Sequence, residues 1–518
     1  MTRSTIYRVA AAAAVTAGLV ACDNSTITNI NVDPNRPTDA PAGAVFTNAA
    51  QLTIARWLGS GYSFSQTELV AQHLAKTQYP DEDRYARLLA ASTQGSFNNP
   101  YTGELENLRQ VVKKGQTLNW AGTSAPAMVL QALGFQYLTD TFGDVPFSAA
   151  LAGDSIGGSL APAYDTQQSI YTGLFSILTN ASKALSTPSS SDPGLGGADP
   201  LYGGDFTKWQ KFANSLHARL AMRIVNVDPA TADKELRAAM AAPGGLFASN
   251  ADNATVRWPG DGVFDNSWAT VAKTRDDNRM SQTLMNVMLP VNDPRIPIFA
   301  MPTVADPTKY AGMPNGLSTS AAGFWFNTAS RPGAMFYPGV TAYGTYGGKG
   351  ASLPSFAMTY AEVQFILAEA AERGIAGLSQ SAAAGYYKAG ITASIQQWAG
   401  ASGQAVPQSA IDAFLAQPSM TYSGGTAGLK QIAVQRWVAL YTDGGNAWFE
   451  WRRTCQPSTI AAGPAAIVNY VPRRFQYSTT EASVNAVNLA AAIARQGPDN
   501  FATRVWWDTK PTAAPTCN

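Results

Sequence analysis

Apolar residues recur at helical spacing along most of the chain, and this periodicity restricts the fold more than any other feature. Ile170, Leu174, Ile177 and Leu178 lie at i, i+4, i+7 and i+8. Ala213, Leu216, Leu220 and Ile224 repeat with spacings of 3, 4 and 4. Leu130, Leu133 and Tyr137, then Tyr360, Val363, Leu367 and Ala370, then Val434, Trp437 and Tyr441, follow the same rule. Each set is one stripe on an amphipathic helix. Asp165 and Gln168 precede the first set and resemble a capping pair. Strand-like alternation is rare and no βαβ rhythm is present, so the chain reads as α-helical with long irregular connections.

Those connections are rich in Gly and Pro. Residues 186–204 read as a surface loop, and residues 250–277 mix Trp258, Phe264 and Trp268 with Gly, Asp and Asn. Residues 300–354 form a stretch of about 50 with little helical signal, a length that is either functional or disordered inside a compact domain. The rings it carries, among them Tyr310, Phe324, Phe326 and Phe336, argue against disorder. No linker divides residues 40–518, which read as one domain. Lys+Arg 36 against Asp+Glu 35 gives a net charge of +1, unlike the basic excess of a nucleic-acid binder. Two His and three Cys leave few ligands for a zinc site and few partners for a His-dependent triad. No cofactor is expected and no metal site is read, although Asp-rich loops could hold calcium through oxygen ligands.

The N-terminus has the marks of export. Arg3 and Arg8 precede an apolar run from Val9 to Val20, shorter than the roughly 20 residues needed to span a bilayer. The run ends in Leu19-Val20-Ala21-Cys22, which resembles the lipobox of bacterial lipoproteins. That resemblance implies a signal peptide at 1–21, removal before Cys22, and acyl chains on Cys22. Several such chains anchor stably, since each buried methylene contributes about 0.8 kcal/mol. An ordinary secretory leader cut at an Ala is the alternative. Residues 22–39 are polar with Pro34 and Pro37 and read as a tether. Cys455 and Cys517 remain, and in an oxidising compartment they point to one disulfide, with two free buried thiols as the alternative.

Blocks in order along nearly the whole chain resemble the SusD/RagB family of surface lipoproteins. They include Asn31-Val32-Asp33-Pro34-Asn35, Phe142-Gly143-Asp144-Val145-Pro146-Phe147, Lys211-Phe212-Ala213-Asn214-Ser215-Leu216, Asn292-Asp293-Pro294-Arg295 and Met358-Thr359-Tyr360-Ala361-Glu362-Val363. The most specific is Trp448-Phe449-Glu450-Trp451-Arg452-Arg453-Thr454, and Val505-Trp506-Trp507-Asp508 closes the series. His217 stands where Lys or Arg is expected, and Cys455 where Gly is common. The resemblance implies an all-α fold, a tetratricopeptide-like scaffold of four helix pairs with irregular segments packed over it. It also implies a lipid-anchored protein on the cell-surface side of the outer membrane. Its partner would be a SusC-like TonB-dependent outer-membrane transporter, to which it delivers oligosaccharide or peptide without catalysis.

The block residues read as structural. Trp448, Trp451, Trp506 and Trp507 are large apolar bodies for core or packed surface. Arg219, Arg223, Arg452 and Arg453 are expected in buried bidentate pairs with carboxylates. A sugar site needs aromatic faces and a few fixed polar groups, placed on loops over a rigid frame. Three segments supply them: Trp325, Phe326, Asn327, Tyr337, Tyr343 and Tyr346; Trp268 near Asp276, Asp277 and Asn278; and Tyr79 to Tyr85 with Asp81, Glu82, Asp83 and Arg84 between. The rival function is a glycan-cleaving enzyme on an all-helical scaffold. Glu362, Glu369 and Glu372 share one helix, but Glu362 and Glu369 would stand roughly 10 Å apart along its axis. A salt-bridged face accounts for them without chemistry.

Overall fold

The computed structural model describes residues 40–155 and 157–510. The leader, the tether, Cys22 and Cys517 lie outside the described residues. The longer helices are α1 (Ala42–Leu58), α2 (Ala90–Thr102), α3 (Glu104–Thr117), α4 (Ala121–Phe142), α5 (Gln167–Leu185) and α6 (Phe206–Arg223). They continue with α7 (Pro229–Ala241), α8 (Tyr360–Glu372), α9 (Ala383–Ser402), α10 (Gly425–Ala439), α11 (Gly444–Thr454) and α12 (Ala486–Gln496). Successive helices pack side by side: α3 on α4, α4 on α5, α5 on α6, α6 on α7, then α8 on α9 and α10 on α11. α8 also lies against α10 and α6, which joins the two runs into one core.

Helix starts follow local chemistry. Asp205, Thr359 and Asp443 accept from the backbone N–H groups of Lys208, Glu362 and Asn446, so each satisfies a donor that its helix leaves unpaired. Gly143 takes φ +87° and ends α4, its N–H bonded to Thr139 O at 2.7 Å. The cap of α5 differs from the sequence expectation. Thr166, not Asp165, accepts from Ser169 N–H. Asp165 is used earlier, where its carboxylate accepts from the N–H groups of Phe147 and Ser148 at 3.0 and 2.8 Å. A neighbouring turn competed for that carboxylate and took it.

The seam where α6, α8, α10 and α11 meet is filled by charge. Arg219 binds Glu362 through two contacts of 2.8 and 2.5 Å, and Arg436 reaches the same carboxylate at 2.9 Å. Arg223 donates to Glu450 at 2.7 Å, and Arg453 bridges Glu450 and Glu369 at 2.7 and 2.5 Å. Burial alone would raise these carboxyls, but Arg219 and Arg436 hold Glu362 down, and Arg453 with Arg373 holds Glu369 at about 2. Both carboxylates are therefore occupied as salt-bridge partners. Arg452 departs from the expected pairing. It lies over the rings of Trp448 and Trp507 at 3.9 and 4.6 Å and donates to the carbonyls of Asp140 and Arg473. Burial pulls its guanidinium down to about 9. Trp448, Trp451 and Trp507 are buried as expected, and Trp506 packs partly buried on the same core.

The irregular segments are tied down by two-stranded ribbons. β1 (Leu74–Lys76) pairs antiparallel with β5 (Asn278–Met280), and β2 (Val145–Pro146) with β3 (Tyr164–Asp165). β4 (Ala254–Val256) pairs with β8 (Ser355–Met358), and β6 (Pro338–Thr341) with β7 (Gly344–Lys349) as a hairpin. The β1–β5 ribbon is widened by two further bonds, Met280 N–H to Ser330 O at 2.8 Å and Met313 N–H to Met280 O at 2.9 Å. Among the described residues no helix is long and apolar enough to cross a membrane.

Candidate functional site

The widened ribbon joins three distant stretches of sequence, 72–85, 274–281 and 311–331. Their junction is locked by Asp83, which is buried. Its carboxylate accepts from Asn315 Nδ2 at 2.8 Å, Gly316 N–H at 3.0 Å and Lys76 N–H at 3.3 Å. Asn315 Nδ2 also reaches Leu74 O at 2.8 Å, and its Oδ1 accepts from Ser281 at 2.6 Å. Burial raises Asp83 to about 6, against the opposing pull of those hydrogen bonds.

Five sequence candidates hang on this junction. Tyr79 is 61% exposed, and Arg275 lies over its ring at 4.6 Å. Trp325 packs half-buried against Ala75 of β1, Met313 and Ala329. Asn327 is exposed and follows Phe326, whose carbonyl takes two bonds from Arg279 at 3.0 and 2.6 Å. Tyr343, at the hairpin tip, donates to Thr274 O at 3.2 Å. Tyr346 lies half-buried against Tyr337, with ring centres 4.5 Å apart.

Three candidates prove to be packing residues. Trp268 is 3% exposed, with Nε1 bonded to Leu58 O and its ring against Phe64 and Phe336. Tyr85 and Tyr337 are 2% and 4% exposed, and burial pushes both phenols far above the usual range. None of the three offers a free ring face. A long loop needs anchors, and its own aromatics serve as such, so loop aromatics divide into those that fold back and those that face out. Local sequence does not separate the two. Phe324, 82% exposed and beside Trp325, is read from sequence only as one of the loop's rings and not as a site candidate, and Arg275, Arg279 and Arg331 are not candidates either. The charged run from Arg275 to Arg279 was the signal for the arginines.

The cations beneath these rings are paired. Lys76 meets Glu82 at 2.8 Å and Asp277 at 3.2 Å. Arg275 binds Asp277, and Arg279 contacts Asp276 at 3.2 Å. Arg331 chelates Asp276 through contacts of 2.8 and 2.5 Å. Arg279 and Arg331 also lie over the Phe326 ring at 4.6 and 5.8 Å. Asp276 and Asp277 are buried, so the outward surface is aromatic, hydrogen-bonding and locally neutralised. Among the described residues no group of three or more His, Cys, Asp or Glu is placed to hold a metal ion.

Exposed rings on loops, held by buried ion pairs over a frame of paired helices, are the parts of a binding protein. The chain belongs to the SusD-like family, described as starch-binding proteins associating with the outer membrane, whose profile matches residues 34–478. A solved chitin-binding protein is similar at 27% identity and a TM-score of 0.75, covering 89% of this chain and 100% of its own. A chitin-binding SusD homolog from Flavobacterium johnsoniae is 25% identical with a TM-score of 0.73, covering 91% and 98%. A SusD homolog from Bacteroides uniformis is 25% identical with a TM-score of 0.74, covering 91% and 100%. No curated protein matches the chain.

Proposed function

We propose that the protein is a glycan-capturing lipoprotein of the outer membrane, and that the face formed by Tyr79, Phe324, Trp325, Asn327, Tyr343 and Tyr346 receives the sugar. The observation that carries this reading is the gathering of exposed rings from three distant segments around one charge-paired ribbon, in a chain of a starch-binding family. Pyranose C–H faces pack on such rings, and Asn327 with the Tyr hydroxyls offers hydrogen bonds to ring substituents. The chitin-binding likenesses make β-linked N-acetylglucosamine oligosaccharides the first ligands to try.

In this reading Cys22 carries the anchor, residues 22–39 span the gap to the domain, and Cys455 pairs with Cys517. The cargo passes unaltered to a SusC-like TonB-dependent barrel. Calorimetry against chito-, cello- and malto-oligosaccharides tests the capture. Binding to one of them, weakened by Trp325→Ala with the melting temperature kept, supports it; binding to none overturns it. Co-purification of a barrel tests the partner, and mass spectrometry of the mature N-terminus tests the acylated Cys22. The enzyme alternative predicts product release lost in Glu362→Gln. The occupied state of Glu362, between Arg219 and Arg436, favours no release at all.

A further inference from the structure

A groove of about 450 Å³ lies apart from the aromatic face, between the far end of β7, the turn after β4 and the C-terminal end of α9. Its lining includes Arg257, Lys349, Ser352, Gly400, Gly403 and Gln404, and no carboxylate. Arg257 and Lys349 are exposed. Among the described residues neither side chain has an ion pair or a hydrogen bond. This contrasts with the four paired cations of the aromatic face. The walls are unusually bare: a Cβ built on Gly400 or Gly403 meets nothing within 4 Å. Backbone is therefore open to a ligand at both positions. At the end of α9 Ser402 donates to Ala399 O at 3.2 Å, and the carbonyls that follow have no donor from the helix, so acceptors and the two cations line one groove.

We propose that this groove is a second binding site, for an acidic saccharide whose carboxylate or sulfate meets Arg257 and Lys349 while its hydroxyls donate to the end of α9. The assignment rests on the glycan-capture reading above. Unpaired guanidinium and ammonium groups in a groove without carboxylates favour an anion. A carbonyl-rich helix end does not, so the ligand must offer hydroxyls there as well as the acid group. A glycine wall admits a ring edge that side chains would block. The volume falls within the range of about 300–1,000 Å³ usual for small-ligand sites.

The test titrates the full mature chain with trigalacturonate and with a sulfated carrageenan oligosaccharide. Chitohexaose serves as the neutral control, and each titration is run at low and high salt. The anionic probes are expected to bind, more weakly as salt rises. The Arg257→Gln/Lys349→Gln double variant should lose about tenfold in affinity, the size expected for two exposed charge contacts. Gly400→Phe, which fills open space, should block the anionic probes and leave chitohexaose unchanged. Which probe binds decides between carboxylate and sulfate. Failure of both, or binding indifferent to all these variants, overturns the proposal. So does a double variant that lowers only the melting temperature, because the two cations would then serve the helix end alone. Chitohexaose binding that persists beside such a failure leaves the capture reading intact. Its loss in Trp325→Ala but not in Gly400→Phe separates the two sites.

Discussion

The aromatic face and the groove share the β6–β7 hairpin but treat charge in opposite ways. At the tip end, Tyr343 and Tyr346 stand over a ribbon whose Lys76, Arg275, Arg279 and Arg331 are each bound to a carboxylate. At the far end, Lys349 and Arg257 have none. The face has rings and few glycines, and the groove has glycines and no rings among its lining. Net charge does not distinguish these surfaces. What a ligand meets is set by which cations are already neutralised, because a guanidinium whose charge is matched by an adjacent carboxylate attracts a further anion less than one that is unmatched. The two proposals divide on this point, a neutral sugar at the face and an acidic one at the groove.

The largest expected effect comes from breaking the pairing. Asp276→Asn removes the carboxylate shared by Arg279 and Arg331. It should cost about 3–5 kcal/mol, as loss of one partner from a buried ion pair does. Denaturant unfolding measures this, and the surviving folded protein should gain affinity for trigalacturonate at the face. An unchanged midpoint and unchanged selectivity would break the comparison.

The next effect is in pH. Asp83 is raised to about 6 in the folded chain, above its ordinary value near 4. Its contribution to stability is therefore full below the unfolded value and is lost as pH rises through about 6. The total is on the order of 3 kcal/mol. Asp83→Asn has no proton to lose there, so the wild-type stability curve should fall relative to the variant's between those limits. Parallel curves would mean that the carboxylate at the base of the ring-bearing loop is not held in this way. Trp325→Ala should weaken binding of a neutral oligosaccharide by about tenfold, or ~1.4 kcal/mol, read by calorimetry with little change in melting temperature. The smallest effect is Tyr79→Ala, about 0.5–1 kcal/mol, the size of an exposed cation–π contact such as the one Arg275 makes with its ring. A neutral ligand's affinity for the face should also be flat in salt where that for the groove is steep.

Much of this molecule is legible in local sequence. The stripes through Ile170, Leu216 and Val363 became α5, α6 and α8 because amphipathic periodicity and burial are the same fact seen twice. Gly143 ended its helix, and Arg219, Arg223 and Arg453 found carboxylates, because a buried guanidinium needs one. Arg452 met that need with carbonyls and rings supplied from residues 140, 473 and 507, a solution no local pattern announces.

The ring-bearing surface was only half visible. Tyr79, Trp325 and Asn327 lie on segments that the ribbon joins, Tyr343 reaches Thr274 O beside it, and Tyr346 packs on Tyr337. Trp268, Tyr85 and Tyr337 carry the same composition and lie in the core. What separates the two groups is the pairing of residues 74–76 with 278–280 and the lock of Asp83 on Asn315, contacts made across some 200 positions of sequence. Periodicity reports how a segment meets the core, so the amino-acid order alone determined the helices and the family blocks. The direction a loop ring faces depends on where the chain returns, and only the tertiary contacts decided that.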